Sequence, residues 1–252
     1  MLEWRVEQLR LTLFTASDYL AQRPAWWRQI SGADPAETKL LRGISVVDSG
    51  PVQDGYCQLT VDLKVRRVDA VLSPIIKPTT DVPQGFPYFD GLDGAWQAFR
   101  NLLLPWATSV NDVVRIAVAA AVTAQVEDRI SGYRLLLPLL PELRIDPEMS
   151  SDLSYQINRF TTSRVVEDLR VNRLSIWQVM QFHLMGIEGA GGHGPAVVRS
   201  VNDTVLASAA RLQIDVNSDA YRTEVLPSGT IGPLSEELLA LAGVICREGH
   251  IR

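Results

Sequence analysis

The sequence predicts an α+β protein in which helices lie on a sheet, and three observations predict it. The first is the stretch from Val113 to Val126, VVRIAVAAAVTAQV, which is almost wholly apolar or small and must be buried on more than one side. Read at period two, Val114, Ile116, Val118, Ala120 and Val122 form an apolar face, and Arg115, Ala117, Ala119, Ala121 and Thr123 form a small, mixed one. That pattern describes a central strand with a helix on its small-residue side. Read at period 3.6, its five alanines favour a helix capped by Asn111 or Asp112. The second observation is alternation elsewhere, in Leu9, Leu11 and Leu13 and again in Leu212, Ile214 and Val216. The third is helical spacing in Trp96, Phe99, Leu103 and Trp106, and in Leu238, Leu239, Ala242 and Ile245. Strands on both sides of 113–126, with a tryptophan-bearing helix before it, favour the strand reading.

Taken in order, Arg5 to Thr15 alternates as a strand. Ser17 or Asp18 then caps a helix reaching Ile30, interrupted by Pro24, whose Trp26 and Trp27 read as core rather than as a ligand-stacking pair. Ala36 to Arg42 forms a short helix ended by Gly43, and Tyr56 to Leu63 and Lys64 to Leu72 follow as strands. Residues 74–94 are an exposed loop, or a link between lobes 1–80 and 92–252 of one domain, with Phe86, Tyr88 and Phe89 pinning it to the core. Asp93 opens the next helix. Ser131 and Gly132 mark a turn, and Tyr133 to Leu143, broken by Pro138 and Pro141, makes short helical pieces or turns. Leu153 to Phe160, Arg164 to Val179 and Ala209 to Val216 read as strands, with Val197 to Arg211 open to either assignment. Ser235, Glu236 and Glu237 begin a terminal helix. The strand, helix, strands order recurs in both halves without a residue-level repeat.

A net charge of -5 disfavours a nucleic-acid protein that relies on a broad basic face. The basic residues are almost all arginine, the exceptions being Lys39, Lys64 and Lys77, and they are spread along the chain. Cys57 and Cys246 suit reduced, buried thiols in a cytoplasmic protein. The N-terminus lacks the pattern of a secretory leader, and no apolar run approaches the ~20 residues of a membrane helix.

Chemical motifs are sparse. Gly189, Gly191 and Gly194 match G-x-G-x-x-G, yet they come late in the chain, among five glycines in nine residues, which describes a mobile loop better than a dinucleotide turn. Asp215, Asn217 and Asp219 open like a calcium loop but are followed by Ala220 and Leu226 where glycine and glutamate belong. His183, His193 and His250 form no zinc spacing with the cysteines; His183 reads as a core histidine and His193 as an exposed one. The adjacent pairs Glu127–Asp128 and Glu167–Asp168 read as surface. Neither cofactor nor metal is expected.

The order of elements resembles a sporadically distributed family of prokaryotic proteins of similar length. The stretches that carry the resemblance are Val6 to Leu13, Trp96 to Trp106, Val114 to Val122, Leu212 to Val216 and Leu234 to Arg247. Where the family pattern has polar residues after its arginine and isoleucine, this chain has Ala119, Ala120 and Ala121. The resemblance implies a large, mostly antiparallel sheet and, from the family's patchy distribution, a mobile defence or toxin–antitoxin module. The expected function is non-catalytic: a binding protein whose sheet and 74–94 loop meet another protein through Phe86, Tyr88, Phe89, Arg66, Arg67 and His193. The alternatives are an enzyme holding a nucleotide or small ligand at Gly189 to Gly194, with Arg199 or Arg211 as charge partner, and a nucleic-acid binder using Arg66, Arg67, Arg170 and Arg173. Oligomeric state is open.

Overall fold

A computed structural model describes residues 2–76, 85–188 and 199–249, with the backbone alone described over 184–188 and 199–204. Its framework is one antiparallel sheet, built from β1 (Arg5–Thr15), β2 (Glu37–Leu41), β3 (Ser45–Val52), β4 (Cys57–Lys64), β5 (Arg67–Ser73), β6 (Asp90–Gly91), β7 (Val113–Val126), β8 (Ser154–Thr162), β9 (Arg170–Glu188) and β10 (Arg199–Ser218). The order across it is β2-β3-β4-β5-β1-β7-β10-β9-β8, with the two-residue β6 extending the β1 edge. Each half pairs its first strand with its last, β1 with β5 and β7 with β10, and the halves join where β1 and β7 run antiparallel.

The described helices are α1 (Trp26–Ser31), α2 (Leu92–Ser109), α3 (Arg129–Leu136) and α4 (Ile231–Glu248). They cover the face that carries Leu9, Leu11, Leu13, Ile116, Val118, Leu212 and Ile214, all 0–2% exposed. Trp177 is fully buried there, with its ring 6.5 Å from that of Trp4. Trp4 in turn donates from Nε1 to the Cys246 carbonyl at 2.7 Å, tying the chain start to α4. The strand assignment of 113–126 holds, but the helices sit on its valine and isoleucine side. The small-residue side, expected to carry a helix, carries none among the described residues and forms the bare face of the sheet.

Other local differences have local causes. The first helix is shorter than expected: Arg23 adopts a left-handed backbone, φ 46, just ahead of Pro24, and helix begins only at Trp26. The helix expected over Ala36 to Arg42 is replaced by strand β2 (Glu37–Leu41), because Gly43, at φ 71, is the left-handed residue of the β2–β3 hairpin turn and not a helix stop. Ser131 and Gly132 lie inside α3, whose N-cap is Asp128, accepting from the Ser131 amide at 2.7 Å. Gly132 is required there, since a Cβ would meet a Val179 methyl at 2.8 Å. The strand expected from Arg164 starts at Arg170, because Glu237 of α4 binds the Ser163 hydroxyl and Arg164 amide, holding that segment in a turn. The ambiguous 197–211 region is strand from Arg199 onward, continuous with 209–216.

Candidate functional site

The bare face is organised by the register around β7. Ala119 stands opposite Arg10 of β1 and Asp215 of β10; Ala121 stands between Gln8 and Gln213, and Ala117 between Thr12 and Asn217. Strands two places apart are about 10 Å apart, so groups on β1 and β10 meet only if the residue between them is small. Alanine meets that condition, and Arg10 Nη2 reaches Asp215 Oδ2 at 3.2 Å over Ala119. Asp215 also accepts from Asn217 Nδ2 at 2.7 Å. Asn217 Oδ1 accepts from Arg115 at 3.1 Å and from Asn172 at 3.3 Å. On the next row Gln213 donates to Gln178 at 3.2 Å. Above the alanines a trough of about 220 Å³ remains, walled by Gln8 and Arg10 on one side and by Gln213, Asp215, Leu174 and Ile176 on the other. The Nε of Arg10 is buried without a partner among the described residues.

A second polar cluster on the same face, over β4 and β5, centres on a buried carboxylate. Asp69 is 3% exposed and accepts from Thr12 Oγ1 at 2.6 Å, Arg67 Nη2 at 2.9 Å and Lys64 Nζ at 3.2 Å. Burial works against its ionisation, yet the hydrogen bonds from Arg67 and Thr12 and the Arg67 charge outweigh it and hold the carboxyl below its ordinary range.

Of the residues singled out by sequence, Gly189, Gly191, Gly194 and His193 lie outside the described residues, and the side chain of Arg199 is not described. The loop aromatics anchor residues 86–89. Phe86 packs on Phe182 at 4.5 Å between ring centroids, Phe89 meets Tyr56 edge-on at 6.0 Å, and the Arg5 guanidinium lies 4.6 Å from the Tyr88 ring. Since Phe182 is on the bare face, this segment laps over one end of it. Arg66 sits in the β4–β5 turn at φ 51, and Arg67 is engaged by Asp69. Arg170 stacks on Phe160 at 4.2 Å, about 19 Å of strand spacing from Arg67. Arg173 points to the opposite, helix-covered face, where burial and the neighbouring Arg159 charge lower its pKa. These four arginines therefore make no common surface. Arg211 pairs with Glu7 at 2.8 Å. His183, expected in the core, is exposed on β9.

The chain matches no family model, no curated protein and no solved structure. Among the described residues no group of histidine, cysteine and acid side chains is arranged to hold a metal, and no helix is long and apolar enough to cross a membrane. Burial pushes the Cys57 thiol up to about 11 and that of Cys246 to about 12, which holds both in the thiol form at neutral pH. The trough presents an apolar floor, planar amides on both sides and a guanidinium–carboxylate pair. Arg10 and the β7 alanines escaped the sequence reading because their significance rests on register. The available signal was a run of alanines alternating against apolar partners on a strand that Arg10 and Asp215 flank.

Proposed function

We propose that this chain is a non-catalytic binding protein that presents the bare face of its sheet, together with the 85–89 segment lapping over it, to another protein. The observation that carries the reading is the trough over Ala119 and Ala121, a concavity on the central strand that no described residue fills, bordered by Gln8, Gln213 and the Arg10–Asp215 pair. A partner segment lying along it would place apolar side chains on the alanines, Leu174 and Ile176, and exchange hydrogen bonds with Gln8, Gln213 and the Arg10–Asp215 pair. A role in a prokaryotic defence or toxin–antitoxin module is part of the proposal and rests on the family resemblance.

The test is co-purification at native expression from the source cell, followed by the same capture with Ala119→Leu. Leucine at this position fills the trough and separates Arg10 from Asp215, while the exposed side of the strand accommodates it within about 1 kcal/mol of wild-type stability. A partner recovered by wild type and lost by the variant supports the reading. A chain that repeatedly emerges alone, or a partner held equally by both proteins, overturns it.

A further inference from the structure

A second cavity lies on the other side of the sheet, at its outer edge beneath α1, and nothing about it depends on the trough. Strands β2, β3 and β4 build its floor in two registered rows, Thr38–Asp48–Val61 and Leu40–Val46–Leu63. Trp26 and Trp27, with the Arg23–Pro24–Ala25 segment, enclose the rest, leaving a volume of about 200 Å³. At ~30 Å³ per water this is the room of about seven waters, the scale of one amino acid.

The chemistry of the cavity is divided. Its inner surface is apolar, with Val61 and Leu63 3% and 6% exposed and the tryptophans 6% and 3%. Its polar groups are Asp48, the exposed Thr38 and Arg23, and the Trp27 indole Nε1, which is buried without a partner among the described residues. Asp48 accepts from the Thr38 hydroxyl at 2.6 Å, and among the described residues neither Asp48 nor Arg23 has a partner of opposite charge. Arg23 is set at the cavity by a left-handed backbone, φ 46, a conformation costly for a non-glycine residue and fixed here by the Arg23 amide donating to the Tyr19 carbonyl at 3.0 Å. An unpaired carboxylate and an unpaired guanidinium bordering one apolar slot call for a ligand that brings both charges and a greasy body.

We propose that this cavity binds a small zwitterion with an apolar side chain, a free neutral amino acid such as leucine or phenylalanine. Its ammonium meets Asp48 beside the tryptophan rings, its carboxylate meets Arg23, and its side chain lies against Val46, Val61 and Leu63.

Titration calorimetry on the full chain tests this with L-leucine, L-phenylalanine and two analogues that each lack one charge, phenethylamine and 3-phenylpropionate. Both amino acids are expected to bind, and each analogue to bind about tenfold more weakly or worse, the order of effect of losing one charge-assisted hydrogen bond. Asp48→Asn and Arg23→Gln should each weaken the amino acids to the same degree. Val46→Phe, which fills the cavity and leaves both charges in place, should abolish binding, and the ligand-free unfolding midpoint of each variant checks that it is folded. No heat or thermal shift from either amino acid at millimolar concentration overturns the proposal. So does analogue binding equal to that of phenylalanine, or undiminished binding by folded Val46→Phe.

Discussion

Two polar clusters share the face of the sheet opposite the helices, and they differ in how deeply the central carboxylate is buried and in whether a cavity lies beside it. Around Asp69 each carboxylate oxygen meets a donor, from Thr12, Arg67 or Lys64, and the acid is 3% exposed. Around Asp215 the central group is part-exposed and a cavity remains beside it, while the arginine of each cluster, Arg10 and Arg67, keeps a buried Nε without a hydrogen bond. A buried carboxylate with three donors works as an internal clamp, here joining β1, β4 and β5. A part-exposed one beside a floor of alanines stays within reach of a ligand. Both clusters contain arginine and aspartate, so residue type does not distinguish structural charge from functional charge. Burial of the carboxylate and the open trough do.

The largest effect that would break or sharpen this comparison belongs to Asp69→Ala. Removing the acid leaves Arg67 without its counter-charge and Thr12 without an acceptor, while Lys64 keeps only Asp62, at 2.6 Å, and losing a buried carboxylate of this kind costs about 3 kcal/mol. Urea unfolding at neutral pH measures it; a change under about 1 kcal/mol would mean that the clamp carries no more than a surface ion pair. Acid is the next probe. The folded-state pKa of Asp69 lies below its ordinary value, so its contribution is fully present above the unfolded-state pKa and is lost as pH falls through the folded one. Wild type should therefore lose stability below about pH 4 faster than Asp69→Asn, which has no carboxylate to protonate at that site. Parallel acid-unfolding curves for the two proteins would remove Asp69 as the cause.

The sequence made the sheet and its central strand legible because alternation is a local property. Val118 and Ala119 point to opposite faces wherever the strand lies. Which face a helix covers is not local. Small residues suit a closely packed helix, and they equally suit a bare face across which long neighbours join hands; Arg10 and Asp215, 205 residues apart, decide it through register alone. Gly43 shows the same limit at shorter range, since a left-handed glycine closes a hairpin as readily as it stops a helix, and only the pairing of β2 with β3 separates the two. The tryptophan pair was read correctly as buried because size alone drives burial, while the cavity beside it depends on Asp48 and Leu40, which come from two different strands. Periodicity carried the layers, and what it could not carry was the neighbour across the sheet.

The smallest effect is the most discriminating. Arg10 and Asp215 have side chains 34% and 29% exposed, so their attraction is screened, and Asn217 still donates to Asp215 when Arg10 is gone. Arg10→Ala should cost about 0.5–1 kcal/mol, and a double-mutant cycle with Asp215→Ala should return a coupling of about 0.5 kcal/mol, both read from urea midpoints. The same Arg10→Ala protein should lose the partner that wild type retains, because the guanidinium forms one wall of the trough. A coupling near 3 kcal/mol would place Arg10 in the same class as Arg67, a clamp on a buried carboxylate. The distinction between the two clusters would then collapse, and the case for the trough as the binding surface with it.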